Sequence, residues 1–179
     1  VTDTRIAVLV GSLRADSINR KLAEKLVAEA PEGVVLEIVD GLAELPFFNE
    51  DLEADPGEAV TQFRKVIDAA DRVLIVTPEY NGTMPAVINN AIDWLSRPYA
   101  AGVLKGKVLS VVGVAPTPYG AKWSHADAAR SAGIGGAIVV EDAIVSQPVH
   151  EIDVFTDADA QARFKEAVEK LAGFQPAAA

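Results

Sequence analysis

The chain has 179 residues, 50% of them hydrophobic, and sets 16 Lys and Arg against 26 Asp and Glu for a formal net charge of −10, a balance that fits a folded domain with a sizeable core and excludes wholesale disorder. Such acidity without a basic patch argues against nucleic acid as a partner, and the absence of cysteine excludes disulfides, thiolate nucleophiles, thiol redox chemistry and Cys-ligated metal sites. No apolar run approaches the length of a membrane span and Val1-Thr2-Asp3 is no basic-then-apolar leader, so a soluble cytoplasmic protein is expected, one whose redox chemistry would need a borrowed cofactor.

In chain order, the first β-branched run is Ile6 to Val10, followed by a helix-period segment in which Ile18, Leu22 and Leu26 share one face. Val34 to Val39 is a second run, and Glu37 within it suggests an edge strand. The stretch Asp40 to Gly57, with Pro46-Phe47-Phe48 and an acidic patch, has no periodicity that places it. Val60, Phe63 and Ile67 mark another helix, Val73 to Val76 a third strand, and Val87, Ala91 and Leu95 a third helix. Val108 to Val112 and Ala137 to Val140 supply the last two predicted strands, and Ala162, Phe164, Ala167, Val168 and Leu171 a terminal helix. Nearly continuous apolarity marks strands covered on both faces. Strands alternating with helices predict an α/β doubly wound, five-stranded parallel sheet of flavodoxin-like order 2-1-3-4-5. In that order the loops leaving Val10 and Val76 open into one crevice, where a ligand is expected.

Those two loops carry the most chemistry. Gly11-Ser12-Leu13-Arg14-Ala15-Asp16-Ser17-Ile18-Asn19 runs from strand into helix. Hydroxyls of Ser12 and Ser17, the Asn19 amide, the Arg14 guanidinium and the free N–H groups of a helix start would suit a phosphate monoester. The plainer alternative is a strand-to-helix turn with Ser17 or Asp16 as N-cap and Arg14 in solvent. The pattern is neither a P-loop nor a dinucleotide fingerprint. Thr77-Pro78-Glu79-Tyr80-Asn81-Gly82-Thr83-Met84-Pro85 has a backbone stiffened by two prolines, fit to border a flat heteroaromatic ring, or to be no more than a turn on which Tyr80 packs.

Together, Gly11-Ser12-Leu13-Arg14 with Ser17 and Asn19, and Pro78-Glu79-Tyr80-Asn81 with Pro85 and Asn90-Ala91-Ile92-Asp93-Trp94-Leu95-Ser96-Arg97-Pro98, resemble the NADPH-dependent FMN reductase family, which includes quinone, azo-dye and chromate reductases. The resemblance runs to about Glu141, and Leu45-Pro46-Phe47-Phe48-Asn49 is similar to a family loop near the site mouth. It implies that Ser12, Arg14, Ser17, Ile18 and Asn19 hold the FMN phosphate. It likewise implies that Pro78, Glu79, Tyr80 and Asn81 border the ring and ribityl, with Thr117 and Gly120 as further contacts. The activity implied is hydride transfer from NADPH or NADH to FMN and electron delivery to a quinone-like small molecule, by a homodimer or homotetramer. Residues 1–174 would form a single FMN-binding domain, with 175–179 as a disordered tail. The resemblance implies no catalytic side chain, because the flavin carries the chemistry. The rival is a flavodoxin-type electron carrier without nicotinamide activity, disfavoured by Gly-Ser-Leu-Arg where flavodoxins have a Thr/Ser-rich loop.

The loop Ala115 to Trp123 departs from the family's Ser/Gly-rich turn: Tyr119 and Trp123 either narrow the ring's open face or pack under the next helix. His125 and His150 are too isolated for a metal cluster. Ser124-His125-Ala126-Asp127 holds triad residue types at consecutive positions of one helix, where they diverge, and reads as a solvated helix start. Whether Trp94 sits at a subunit contact or in the core is open from sequence.

Overall fold

The computed structural model describes residues 3–176; of the tail expected at 175–179, residues 177–179 lie outside the described part. Strands and helices alternate as β1 (Thr4–Val10), α1 (Ile18–Ala28), β2 (Val34–Ile38), α2 (Gly57–Ala69), β3 (Arg72–Val76), α3 (Ala86–Leu95), β4 (Val108–Ala115), α4 (Lys122–Ile134), β5 (Ile138–Val139), β6 (Val145–Pro148) and α5 (Ala158–Gly173). The sheet is parallel in the expected order β2-β1-β3-β4-β5. One addition was not expected: β6 also pairs with β4. β5 occupies Val108–Leu109 of β4 and β6 occupies Val112–Ala115, so the fifth position is one strand broken by the short turn Glu141–Ala143.

Because successive side chains of a strand point to opposite faces, the apolar runs split into two cores. Ala7, Leu9, Val73, Ile75, Leu109 and Val111 face α2, α3 and α4. Ile6, Val8, Leu74, Val76, Val112 and Val114 face α1 and α5. Every residue of β4 is buried, which explains its unbroken apolar sequence.

The stretch after β2 is anchored by hydrogen bonds to α3. Pro46 O accepts from Asn90 Nδ2 at 3.0 Å and from Trp94 Nε1 at 2.7 Å, and Phe48 N–H donates to Asn90 Oδ1 at 2.8 Å. Trp94 is fully buried, with Phe48 edge-on to its ring at 5.0 Å. It is a core residue that fastens this loop, so the choice left open by the sequence falls on the core. Arg97 pairs with Glu53 at 2.6 Å, closing the same loop onto the end of α3. Among the described residues no helix is long and apolar enough to cross a membrane.

Candidate cofactor and active site

The site lies at the carboxyl ends of β1, β3 and β4. Gly11 continues the β1 ladder, its N–H donating to Val76 O at 2.8 Å. A Cβ there would fall well under 3.0 Å from Thr77 Oγ1 and Cβ, so only glycine lets the two crevice loops leave side by side. Beyond it, Ser12 is half-buried and Leu13, Arg14, Ala15 and Asp16 are exposed. Arg14 folds back locally, with Nη2 donating to Asp16 O at 2.8 Å. Lys21 forms an ion pair with the Asp16 carboxylate and holds that carboxyl below its ordinary range.

Ser17 is the N-cap of α1: its Oγ accepts from Arg20 N–H at 3.2 Å. Ile18 and Asn19 then supply the first helical N–H groups, which have no carbonyl one turn behind them. The Asn19 side chain is committed elsewhere. It is buried, its Nδ2 donates to Val114 O at 3.0 Å and its Oδ1 accepts from Val114 N–H at 2.9 Å. That amide therefore braces α1 against β4, and only the main-chain N–H of Asn19 is left to meet a ligand. Its partner lies 95 residues away, which no local spacing reveals.

Across the crevice, Thr77 is fully buried and its N–H donates to Val112 O at 3.0 Å. Tyr80 and Thr83 exchange both main-chain hydrogen bonds, at 3.0 and 3.1 Å, around Asn81 (φ 52°) and Gly82 (φ 74°). This is the tight turn that an Asn-Gly pair favours, a signal present in the sequence beside the prolines. Tyr80 is half exposed and Asn81 is exposed at the tip. Tyr80, Asn81 and Met84 line a groove shared with Phe47, Phe48 and Asn89, so the loop after β2 reaches the loop after β3. Ser12 and Arg14 line a different groove, against Asp40–Glu44. Asp93 borders the first groove; burial pushes its carboxyl up, and a hydrogen bond from Asn89 partly offsets this.

The loop after β4 carries Thr117 exposed and Gly120 buried. Gly120 has φ 57°, and a Cβ there would lie 2.6 Å from the Gln147 carbonyl carbon. The rings of Tyr119 and Trp123 lie 4.5 Å apart, tilted by 48°, and stay 50% and 43% exposed; Trp123 belongs to the first turn of α4, and neither ring is buried beneath that helix. Lys122 Nζ sits 4.9 Å from both ring centroids.

The expectation of a solvated helix start at Ser124-His125-Ala126-Asp127 is corrected here. Ser124 and His125 are fully buried. His125 Nε2 lies 3.0 Å from Thr77 O and Nδ1 2.7 Å from Ser146 Oγ. A carbonyl only accepts, so Nε2 carries the proton and Nδ1 accepts from the Ser146 hydroxyl. Burial pulls the His125 pKa down to about 4, against smaller upward pulls from the Thr77 bond and Glu79, and the ring is neutral. Polar residues at a helix start are mostly exposed; the partners that bury this one come from the loop after β3 and from β6.

A helix start with donors for a dianion, one strand away from a stiff, turned loop, defines the cofactor crevice of a flavodoxin-like protein. The chain belongs to the NADPH-dependent FMN reductase family, whose sequence profile matches residues 4–150. It is 47% identical over 116 residues to a quinone reductase of Pseudomonas putida, covering 64% of this chain and 62% of that one. It is 45% identical over 109 residues to a 2-hydroxy-1,4-benzoquinone reductase of a Burkholderia species, covering 61% and 59%. The matched part thus spans about three fifths of the length of these curated relatives. Among solved structures, FerB, a flavoenzyme NAD(P)H:(acceptor) oxidoreductase from Paracoccus denitrificans, superposes with a TM-score of 0.82 at 32% identity, over 94% of this chain and 97% of that one.

The residues present fit the family's cofactor. The Ser12 hydroxyl, the Arg14 guanidinium and the first N–H groups of α1 are all donors, as a phosphate dianion requires. The close approach of Gly11 to Thr77 brings the loop after β3 next to them.

Proposed function

We propose that the protein is an FMN-dependent NAD(P)H oxidoreductase that passes electrons to a quinone-like or other electron-poor small molecule. The observation that carries this reading is the close pairing, across Gly11 and Thr77, of a donor-rich helix start with a stiff loop. Bound FMN would supply the redox chemistry, accepting hydride from the nicotinamide and releasing electrons to the second substrate. The chain's own residues bind and orient. Ser12, Arg14 and the Ile18 and Asn19 N–H groups hold the phosphate; Ser17 organises that helix start. Pro78, Glu79, Tyr80 and Asn81 form the ring-side wall, with Thr117 and Gly120 on the loop beyond. No side chain is assigned as acid or base. Residues 1–174 act as one FMN-binding unit in the cytoplasm, where nicotinamide reductant is present. A homodimer or homotetramer is supported by Phe47 and Tyr99, exposed at 81% and 84%, since exposed aromatics favour interfaces.

Loss of the yellow flavin absorbance on anaerobic addition of NADPH or NADH alone is the expected result for the FMN-loaded protein. A flavin that stays oxidised until a partner protein is added would identify an electron carrier instead.

Arg14→Ala is expected to weaken FMN about ten- to a hundredfold, the range of a charge-assisted hydrogen bond, and to leave riboflavin binding unchanged. Its present bond to the Asp16 carbonyl is exposed and local, so apo-protein stability should move by less than about half a kcal/mol. Fluorescence titration with both flavins, beside urea curves, measures this. An unchanged FMN dissociation constant would remove Arg14 from the phosphate site.

A further inference from the structure

Helix α4 begins without a cap of its own: Ala121, in the left-handed region, has no side chain to offer. The cap comes from the other loop. Glu79 Oε2 accepts from the N–H groups of Trp123 at 3.1 Å and Ser124 at 3.2 Å, a carboxylate at the positive end of the helix. The same turn reaches back three more times. Ser124 Oγ donates to Pro78 O at 2.7 Å, His125 Nε2 to Thr77 O at 3.0 Å, and Thr83 Oγ1 donates to Asp127 Oδ2 at 2.8 Å.

These bonds decide which way the ring-side loop presents its main chain. Pro78 has no N–H, Thr77 N–H is bonded to Val112 O, and Tyr80 N–H to Thr83 O. Among residues 77–80 the remaining main-chain donor is Glu79 N–H. The 78–79 peptide is trans, the one cis bond of the described chain being Arg97–Pro98. In a trans peptide C=O and N–H point to opposite sides. With the Pro78 carbonyl drawn to Ser124, the Glu79 N–H is turned away from α4. In the strand order β4 and β1 lie on opposite sides of β3, and the crevice between the loops after β1 and β3 lies on the side away from β4.

We propose that Ser124 is a positioning residue for the cofactor ring, latched by Glu79, and that it aims the Glu79 N–H at an acceptor on the ring's edge. The Glu79 carboxylate then serves as the latch and touches no cofactor atom. This rests on the flavin reading above. A donor to an edge carbonyl oxygen, which stays an acceptor on reduction, favours the more electron-rich reduced ring over the oxidised one, so Ser124 also acts on the redox potential.

The test uses the full chain with Ser124→Ala, Ser124→Thr as rescue, and Glu79→Gln, which keeps an oxygen acceptor but removes the charge. Dissociation constants for FMN and for riboflavin, and the midpoint potential of bound FMN, are compared with urea curves of the apo proteins. Ser124→Ala is expected to weaken both flavins by the same factor, about three- to tenfold, the scale of one hydrogen bond. The midpoint potential should become more negative, and Ser124→Thr should restore both values. Glu79→Gln should move them the same way by less, and stands in if Ser124→Ala fails to fold. An unchanged potential in a folded variant, or a loss confined to FMN, overturns the proposal. Wild-type protein that binds neither flavin overturns the flavin reading, and the positioning role with it.

Discussion

Gly113→Ala is expected to destabilise the protein by about 3 kcal/mol, the upper part of the range for overpacking a close-packed core. Gly113 lies in β4, beneath the start of the ring-side loop. An added Cβ would fall well under 3.0 Å from the Thr77 carbonyl oxygen, 2.9 Å from Asn19 Oδ1 and 3.0 Å from His125 Nε2. None of the three can yield cheaply. The Thr77 carbonyl holds His125, Asn19 is bonded to Val114 through both amide atoms, and His125 is fixed on its other side by Ser146. Relief at any one of them breaks a buried hydrogen bond. Gly133→Ala is the natural control: its Cβ would meet only Val139 Cγ2, at an ordinary 3.7 Å, inside α4, where alanine is the better helix former. That variant should be neutral or slightly more stable. Urea denaturation of the two apo proteins separates them, and a Gly113→Ala variant within about half a kcal/mol of wild type would show that the strand relaxes freely.

The elements legible in the sequence are those whose burial follows a period. β1, β3 and β4 are apolar on both faces, and α2 carries Val60, Phe63 and Ile67 on one face, so their neighbours leave the expected imprint. α4 has no such imprint, because it buries Ala128, Ala129 and Ala132 with Ser124 and His125. Small and polar residues give no large-side-chain stripe, although close approach to the sheet calls for them. The fifth strand was legible only in its first half: Val145-Ser146-Gln147-Pro148 is short and half polar, and pairs because the turn at Glu141–Ala143 returns the chain to the same edge. At the site, donor types and their order were readable around Arg14 and the turn at Asn81-Gly82. The fate of each donor was not. The Asn19 amide and the Glu79 carboxylate look alike in sequence as ligand groups, but in the folded chain one braces β4 and the other caps α4. Such assignments depend on residues 44 to 95 positions away, which the tertiary fold alone brings together.

His125 gives the second large effect, and its sign follows from linkage. The folded ring has a pKa of about 4, against roughly 6.5 for histidine in an unfolded chain. Between those values the unfolded chain binds a proton that the native protein does not. Stability therefore rises with pH through this window. The contribution is fully present above about pH 6.5 and is lost as the pH falls toward 4, to a total of about 3 kcal/mol for a gap of this size. Protonation would place a cation in a pocket built for a neutral ring. The proton that arrives at Nδ1 removes the acceptor used by Ser146, and the nearby Glu79 offsets only part of the cost. His125→Gln removes this titration while keeping an amide donor near the Thr77 carbonyl. The variant should be less stable than wild type at pH 7.5, and the difference should shrink as the pH is lowered from 6.5 to 4, because carboxylates common to both proteins cancel in the comparison. Urea curves of both apo proteins at half-unit steps measure it. A difference that stays constant across that window would mean that the buried ring takes up its proton as readily as the unfolded chain does.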